Sequence, residues 1–207
     1  MKLYMLGLTG RVGNKIAEYA LEDGIDVHAL VRDPEKIPSN LTQQISYTKG
    51  DVLHKNEVEE SMKGCDLVVS ALSTDGGNVL SESMPILVEA MKKEGISRII
   101  TIGTAGILES RTESGVLRYQ SSESKRKLTR AAEDHHKAFT ILKESGLDWT
   151  IICPTYLPDG EATGVYRIEK DYLPVDGTRI TTGDTAHFAS SLLKESRFLQ
   201  LRVGIAY

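Results

Sequence analysis

The chain reads as an α/β protein built on a doubly wound parallel sheet, and three observations carry that reading. Short apolar runs alternate with amphipathic ones along most of the 207 residues. Several of the apolar runs are unbroken Val/Ile/Leu stretches, as expected of strands buried on both faces. No internal repeat or low-complexity tract competes with the alternation. Regular strand–helix alternation implies parallel strands with right-handed crossovers and helices on both faces of the sheet.

The elements follow in order. Leu3–Leu6 is a strand and leads into a helix from about Arg11 to Glu22. Val27–Val31 and Ile45–Thr48 are the next strands, Lys55–Met62 a helix, and Leu67–Leu72 a buried strand. A helical stretch ends at Met91–Lys93. Pro85 interrupts its pattern of Leu80, Met84, Leu87, Val88 and Met91, so that helix begins near Met84 or kinks there. Arg98–Thr104 is a strand, Ser124–Glu144 a long helix closed by Gly146, and Trp149–Cys153 the sixth strand. Leu108–Glu123 is polar, aperiodic and long for a loop, which marks either a mobile segment or a functional lid. Beyond Pro154 the alternation loosens through Gly164–Leu173 and Arg179–Thr182. A helix over Asp184–Lys194 follows, with Thr182 and Asp184 as N-cap residues. Residues 1–207 are read as one domain, in which 154–207 completes one side of a ligand crevice.

Composition narrows the function. A 40% hydrophobic and 26% charged chain is an ordinary globule. Lys and Arg total 25 against 29 Asp and Glu, a net charge of −4 that argues against a nucleic-acid binder. No run approaches the roughly 18 apolar residues of a membrane span, so no membrane partner is expected. Met1–Leu6 runs straight into Gly7 and Thr9 and forms no signal-peptide core. Cys65 and Cys153 are far apart, each in an apolar strand-like run, which suits a reducing cytoplasm better than a disulfide scaffold. The five histidines have no Cys or carboxylate partners at ligand spacing, so no metal is expected. No Gly-x-Ser-x-Gly elbow is present.

The chemistry begins where the first strand ends. Gly7-Leu8-Thr9-Gly10-Arg11-Val12-Gly13 spaces glycines three apart between a strand and a helix. A diphosphate there needs backbone amides closer than a Cβ permits, and the helix N-terminus adds a partial positive charge. This is G-x-x-G-x-x-G and not the main Rossmann signature, but it lies in the strand–turn–helix context that the signature requires. The competing reading is that the glycines only allow tight strand–helix packing. At the end of the second strand, Val31-Arg32-Asp33-Pro34 offers both cofactor choices. Asp33 suits the ribose hydroxyls of NAD, and it is also a common turn starter before Pro. Arg32, with Lys36 and Arg11 adding positive charge nearby, suits the 2′-phosphate of NADP, which we favour. Arg32 and Lys36 as a solvated surface cluster is the bland alternative.

These residues resemble the atypical short-chain dehydrogenases, in particular the NmrA-like group, and within it the biliverdin-IXβ and flavin reductase branch. The likeness rests on Gly7–Gly13, Leu30–Asp33, Gly50-Asp51-Val52, Ser145–Thr150 and Thr181–His187, and it spans essentially the whole chain. It implies an NAD(P)-binding Rossmann domain. Arg32 and Lys36 would face the 2′-phosphate, Asp51 and Val52 the adenine, and Leu72-Ser73-Thr74 the ribose and pyrophosphate. Pro154-Thr155-Tyr156-Leu157 would flank the nicotinamide. Main-branch members use a Tyr-x-x-x-Lys pair. The one match here, Tyr166–Lys170, falls in the tail and is read as chance; the slots on the long helix hold Ala131 and His135, and Tyr119 is followed by Glu123.

Two residues remain as catalytic candidates. His135 sits on a stripe of Leu128, Ala132, Phe139 and Leu142, where it either packs in the core or lines the site; the similar family also carries histidine at this slot. His136 should point outward. Thr104 closes the fifth strand, where doubly wound sheets bind ligands; it either caps the strand end or touches cofactor or substrate. The resemblance gives that position to a serine beside the nicotinamide. The preferred function is an NADPH-dependent oxidoreductase that passes hydride to a flat conjugated acceptor such as a flavin, a quinone or a linear tetrapyrrole. Such an acceptor needs mainly stacking and water exclusion and could take its proton from solvent. The alternative is a non-enzymatic NADP-binding redox sensor acting through a protein partner. An extended-branch epimerase ranks last because the tail leaves little room for a sugar-nucleotide domain. A monomer or homodimer is expected.

Overall fold

Strand and helix alternate from the first residues of the computed structural model, which describes residues 1–74, 76–124 and 128–207. The strands are β1 (Lys2–Leu6), β2 (Asp26–Val31), β3 (Ser46–Lys49), β4 (Leu67–Ser70), β5 (Arg98–Ile102), β6 (Asp148–Pro154), β7 (Arg167–Lys170) and β8 (Leu201–Ala206). The helices are α1 (Gly13–Glu22), α2 (Lys55–Met62), α3 (Val79–Glu94), α4 (Arg130–Glu144) and α5 (Thr182–Ser191). All eight strands form one sheet in the order β3-β2-β1-β4-β5-β6-β8-β7. It is a doubly wound sheet, and its order turns back on itself between β1 and β4. In such sheets that switch point opens a crevice beyond the carboxyl ends of the strands.

Burial on both faces explains why the strands are apolar throughout. Along β1, Leu3 and Met5 join the core under α1 and α5, with Ile16, Ala17, Ala189 and Ile152. Tyr4 and Leu6 join the opposite core, with Val58, Met62, Leu87, Met91 and Trp149. The register is continuous, Leu3 opposite Val27 on one side and Leu67 on the other. Cys153 is buried in β6, and buried Cys65 lies two positions before β4; neither forms a disulfide. Among the described residues no helix is long and apolar enough to cross a membrane.

Several expected boundaries are corrected. β4 ends at Ser70 and β5 at Ile102, both short of the expected Leu72 and Thr104. α3 does not start near Met84: it begins at Val79 and carries Pro85 inside it. Its first turn has no local side-chain cap. Instead the buried Asp134 of α4 accepts hydrogen bonds from the Leu80 amide at 3.1 Å and the Ser81 amide at 3.0 Å, with Ser81 Oγ at 2.5 Å. α4 starts at Arg130 and not at Ser124, and part of the expected helix, residues 125–127, lies outside the described residues. Leu128 does not head a buried stripe; it is 88% exposed, and the buried positions are Asp134, Ala138 and Leu142.

The segment from Leu108 to Glu123 is tied down. Glu109 bridges Leu117, and the Glu123 carboxylate takes hydrogen bonds from Ser110, Arg111, Thr112 and Arg118. The tail contains a strand that the sequence hid. β8 inserts parallel to β6, and β7 runs antiparallel to β8 at the sheet edge, so the sheet is not wholly parallel. A Cβ on Gly204 would lie 2.1 Å from the Tyr172 carbonyl oxygen, so only glycine lets that crossing pass. α5 is capped by Thr181, whose Oγ1 accepts from the Asp184 amide at 3.1 Å. Thr182 is simply its first residue. The Asp184 carboxylate instead accepts from Thr163, Gly164 and Tyr207, which fastens residues 163–164 to the chain end.

Removal of the Asp134 carboxylate leaves buried amides of α3 without an acceptor, at a cost of about 1–3 kcal/mol. Asp134→Ala is therefore expected to lower the unfolding free energy from urea titration by that much; an unchanged urea midpoint would contradict the capping role.

Candidate active site

A crevice of about 1580 Å³ opens where β1, β2, β4, β5 and β6 end. Gly7, Thr9, Gly10, Arg11 and Val12 line it at the first turn, and Arg32 and Lys36 after β2. Asp51 and Val52 come from the turn before α2, and Leu72, Ser73 and Thr74 follow β4. Thr104 follows β5, His135 projects from α4, and Thr155, Tyr156 and Leu157 follow β6. Two expected residues do not line it. Gly13 is packed beneath the turn, and Pro154 is the last residue of β6, opposite Ile205 of β8.

The three glycines divide by what surrounds them. Gly7 has φ +75°, and a Cβ on it would fall 2.4 Å from the Ala71 carbonyl oxygen. On Gly13 a Cβ would fall 2.1 Å from the Gly7 carbonyl oxygen. Packing therefore requires both. A Cβ on Gly10 would meet nothing nearer than the Gly7 oxygen at 3.2 Å, so Gly10 presents bare backbone to the crevice. Among the described residues the Arg11 and Val12 amides have no hydrogen-bond acceptor, and they stand at the N-terminus of α1. The packing reading therefore holds for Gly7 and Gly13, and Gly10 is left facing the crevice.

At the end of β2, Asp33 behaves as a turn starter. Its Oδ1 accepts from the Glu35 amide at 3.2 Å, and its Oδ2 lies 3.4 Å from Lys36 Nζ. Arg32 is exposed on the crevice wall. Arg11 does not join this cluster: its guanidinium donates to Asp159 at 2.8 Å and to the Leu157 carbonyl at 3.2 Å, bridging the first turn to the segment after β6. On the third side, Asp51 accepts from the Leu53 amide at 3.0 Å, and its own amide donates to Glu57 at 2.6 Å.

The far end combines Thr104, His135 and residues that the sequence pattern did not mark. Thr104 Oγ1 accepts from the Gly106 amide at 3.4 Å, so the residue caps a 3-10 turn over Ala105–Ile107 while also facing the crevice. His135 is held in an apolar wall between α3 and α4, and burial lowers its pKa to about 4 against a partly opposing pull from Asp134. It is neutral at pH 7. Tyr119, Arg118 and Glu123 reach the same wall from a 3-10 turn over Arg118–Gln120 and the segment after it. His136 does not point outward: its Nδ1 lies 3.0 Å from the Tyr119 hydroxyl, and its ring stacks on Phe139. Tyr166, the chance match, lies away from the crevice with its hydroxyl 2.9 Å from His187 Nδ1.

Two outcomes follow from these packings. Gly13→Ala is expected to lower the thermal midpoint sharply and Gly10→Ala much less, the Cβ clashes being 2.1 Å and 3.2 Å; equal losses would mean that Gly10 is also a packing glycine. His135, with its pKa depressed in the folded state, disfavours folding once the unfolded chain takes up a proton that the native state refuses. Stability therefore falls as pH drops from about 6.5 to about 4, by up to about 2 kcal/mol between pH 7 and 5. Urea midpoints at the two pH values are expected to converge in His135→Asn, and an unaltered pH dependence would refute the assignment.

Comparison with known proteins agrees with this architecture. The model of the NAD(P)H-binding family matches residues 7–196. The Bacillus subtilis protein YwnB is 26% identical over 202 residues, covering 94% of this chain and 92% of its own. A proposed epimerase from Bacteroides thetaiotaomicron superposes with a TM-score of 0.85 at 28% identity, covering 100% of this chain and 96% of that one. A proposed NADH-flavin reductase from Streptococcus pneumoniae shares the fold with a TM-score of 0.83 at 22% identity, over 100% and 99% of the two chains. With its glycine turn, its strand order and this match, the chain belongs to the NAD(P)H-binding family.

Proposed function

We propose that the protein is an NADPH-dependent reductase that transfers hydride to a flat conjugated acceptor: a flavin, a quinone or a linear tetrapyrrole. The carrying observation is the size and continuity of the crevice. At about 1580 Å³ it exceeds the roughly 300–1,000 Å³ of a single small-molecule site, so a donor and an acceptor fit together. The name of the Streptococcus pneumoniae neighbour, an NADH-flavin reductase, agrees with that acceptor class.

The residues present fit a nicotinamide dinucleotide. Gly10 offers bare main chain, and the Arg11 and Val12 amides at the start of α1 offer donors to a diphosphate. Arg32 and Lys36 carry the positive charge that a 2′-phosphate needs. Asp51 and Val52 would hold the adenine, and Leu72, Ser73 and Thr74 the ribose and diphosphate. Thr155, Tyr156 and Leu157 would flank the nicotinamide. When bound, the reduced cofactor supplies hydride. The chain supplies position and shelter: Thr104 holds a hydroxyl at the reacting end, and neutral His135 lines the wall without adding charge. Tyr156, 64% exposed at the rim, gives the acceptor an aromatic face.

Purified protein is expected to oxidise NADPH with riboflavin saturably, and a rate equal to the buffer blank would overturn the proposal. Arg32→Ala is expected to weaken NADPH binding about tenfold or more, the value of a lost charge-assisted hydrogen bond, with little change for NADH. Calorimetric titration with both cofactors checks this; equal losses, or a wild-type preference for NADH, would return the assignment to NAD.

A further inference from the structure

On the acceptor side of the crevice, Tyr119 is held by a partner that the hydride-transfer reading leaves without a task. Its hydroxyl lies 3.0 Å from His136 Nδ1, with the two rings edge to face. His136 is fixed in turn. It stacks on Phe139, and Phe139 is wedged between Trp149 and the Arg202 guanidinium, 4.5 Å above the ring. Buried Arg202 is itself pinned by Glu109, Asp171 and the Ile107 carbonyl. Gly106 makes the approach feasible. A Cβ there would sit 3.2 Å from Ala132 Cβ, 3.4 Å from Tyr119 Cβ and 3.6 Å from Thr104 Cγ2, so Tyr119 stands beside Thr104 and the first turn of α4. A rigid hydrogen-bonded pair of ionisable groups at the wall of a reaction crevice is more than packing needs.

Resting on the reductase reading above, we propose that Tyr119 is the proton donor to the reduced acceptor and that His136 is its positioning residue. The acceptor takes a hydride from the reduced nicotinamide dinucleotide and one proton from Tyr119. With a quinone, the Tyr119 O–H bond breaks and a quinol O–H bond forms, while the nicotinamide ends oxidised. His136 Nδ1–H donates to the phenolate left behind, which regains its proton from water. Burial raises the Tyr119 pKa with help from Glu133, and burial together with Arg202 lowers that of His136, so both groups are neutral at pH 7 and the phenol carries its proton.

The test compares wild type, Tyr119→Phe, His136→Leu and His136→Gln, using NADPH and menadione, whose reduction needs one hydride and one proton. Tyr119→Phe is expected to lose kcat about a hundredfold with its KM for menadione unchanged. His136→Leu is expected to follow it in part, and His136→Gln, which keeps a donor, to recover most of the loss. A second readout needs no turnover. In the protein without nicotinamide, the phenolate absorbance assigned to Tyr119 by difference from Tyr119→Phe is expected to titrate at higher pH in His136→Leu. A downward movement would mean that His136 accepts from the phenol, and would overturn the proposal. Tyr119→Phe retaining more than half of the wild-type kcat would overturn it as well, while leaving the reductase reading intact. A wild type that binds NADPH yet never reduces menadione or riboflavin would remove both.

Discussion

Main chain is pressed against main chain at the first turn, and the crevice is built around that exclusion of side chains. Gly13 sits on the carbonyl of Gly7, and Gly7 on the carbonyl of Ala71 beyond β4. Those contacts join β1, β4 and α1 at the point where strand order reverses. The amides that open α1 then face the carboxyl edge of the sheet, and the positive end of the helix dipole falls inside the crevice. The remaining rim residues need only reach that edge, and parallel strands deliver them there. Arg32, Leu72, Thr104 and Thr155 each leave the sheet at the same end.

Much of this was legible because parallel strands are buried on two faces. Leu3–Leu6 and Trp149–Cys153 lie within a residue of β1 and β6 as observed, and the bounds of α2 match those read from its pattern. Elements failed where stability comes from afar. α3 begins five residues before Pro85 suggested, because a carboxylate from another helix completes its first turn. β8 carries an arginine and a glycine that read as anything but strand interior. Arg202 is tolerated because Glu109 and Asp171 meet it, and Gly204 because Tyr172 passes over it. No local pattern encodes either condition. Leu128 misled in the opposite direction: it continued the spacing of a buried stripe beyond the end of the helix that would have buried it.

The site divides along the same line. Residues near the glycine turn and at strand ends were readable, since topology alone sends them to one edge. Arg11 was readable as a charge but not as a bridge to Asp159, a partner far along the chain. Tyr119 and His136 were dismissed, one for its sequence neighbours and one for its helical phase. The two meet only because Gly106 lets the Arg118–Gln120 turn and α4 close upon each other.

The slot that β8 occupies has a consequence for how the protein is made. β7 pairs with no strand except β8, and β8 is the later of the two to leave the ribosome. Until Leu201–Ala206 slides in beside β6, β7 has no neighbour and Arg202 cannot fasten Ile107 and Glu109. Translation thus delivers β8 after the glycine turn and the first six strands, and the bonds of Arg202 to Ile107 and Glu109 arrive with it. Loss of Leu201–Ala206 would therefore spare most of the sheet yet release β7 and the segment that follows β5 together.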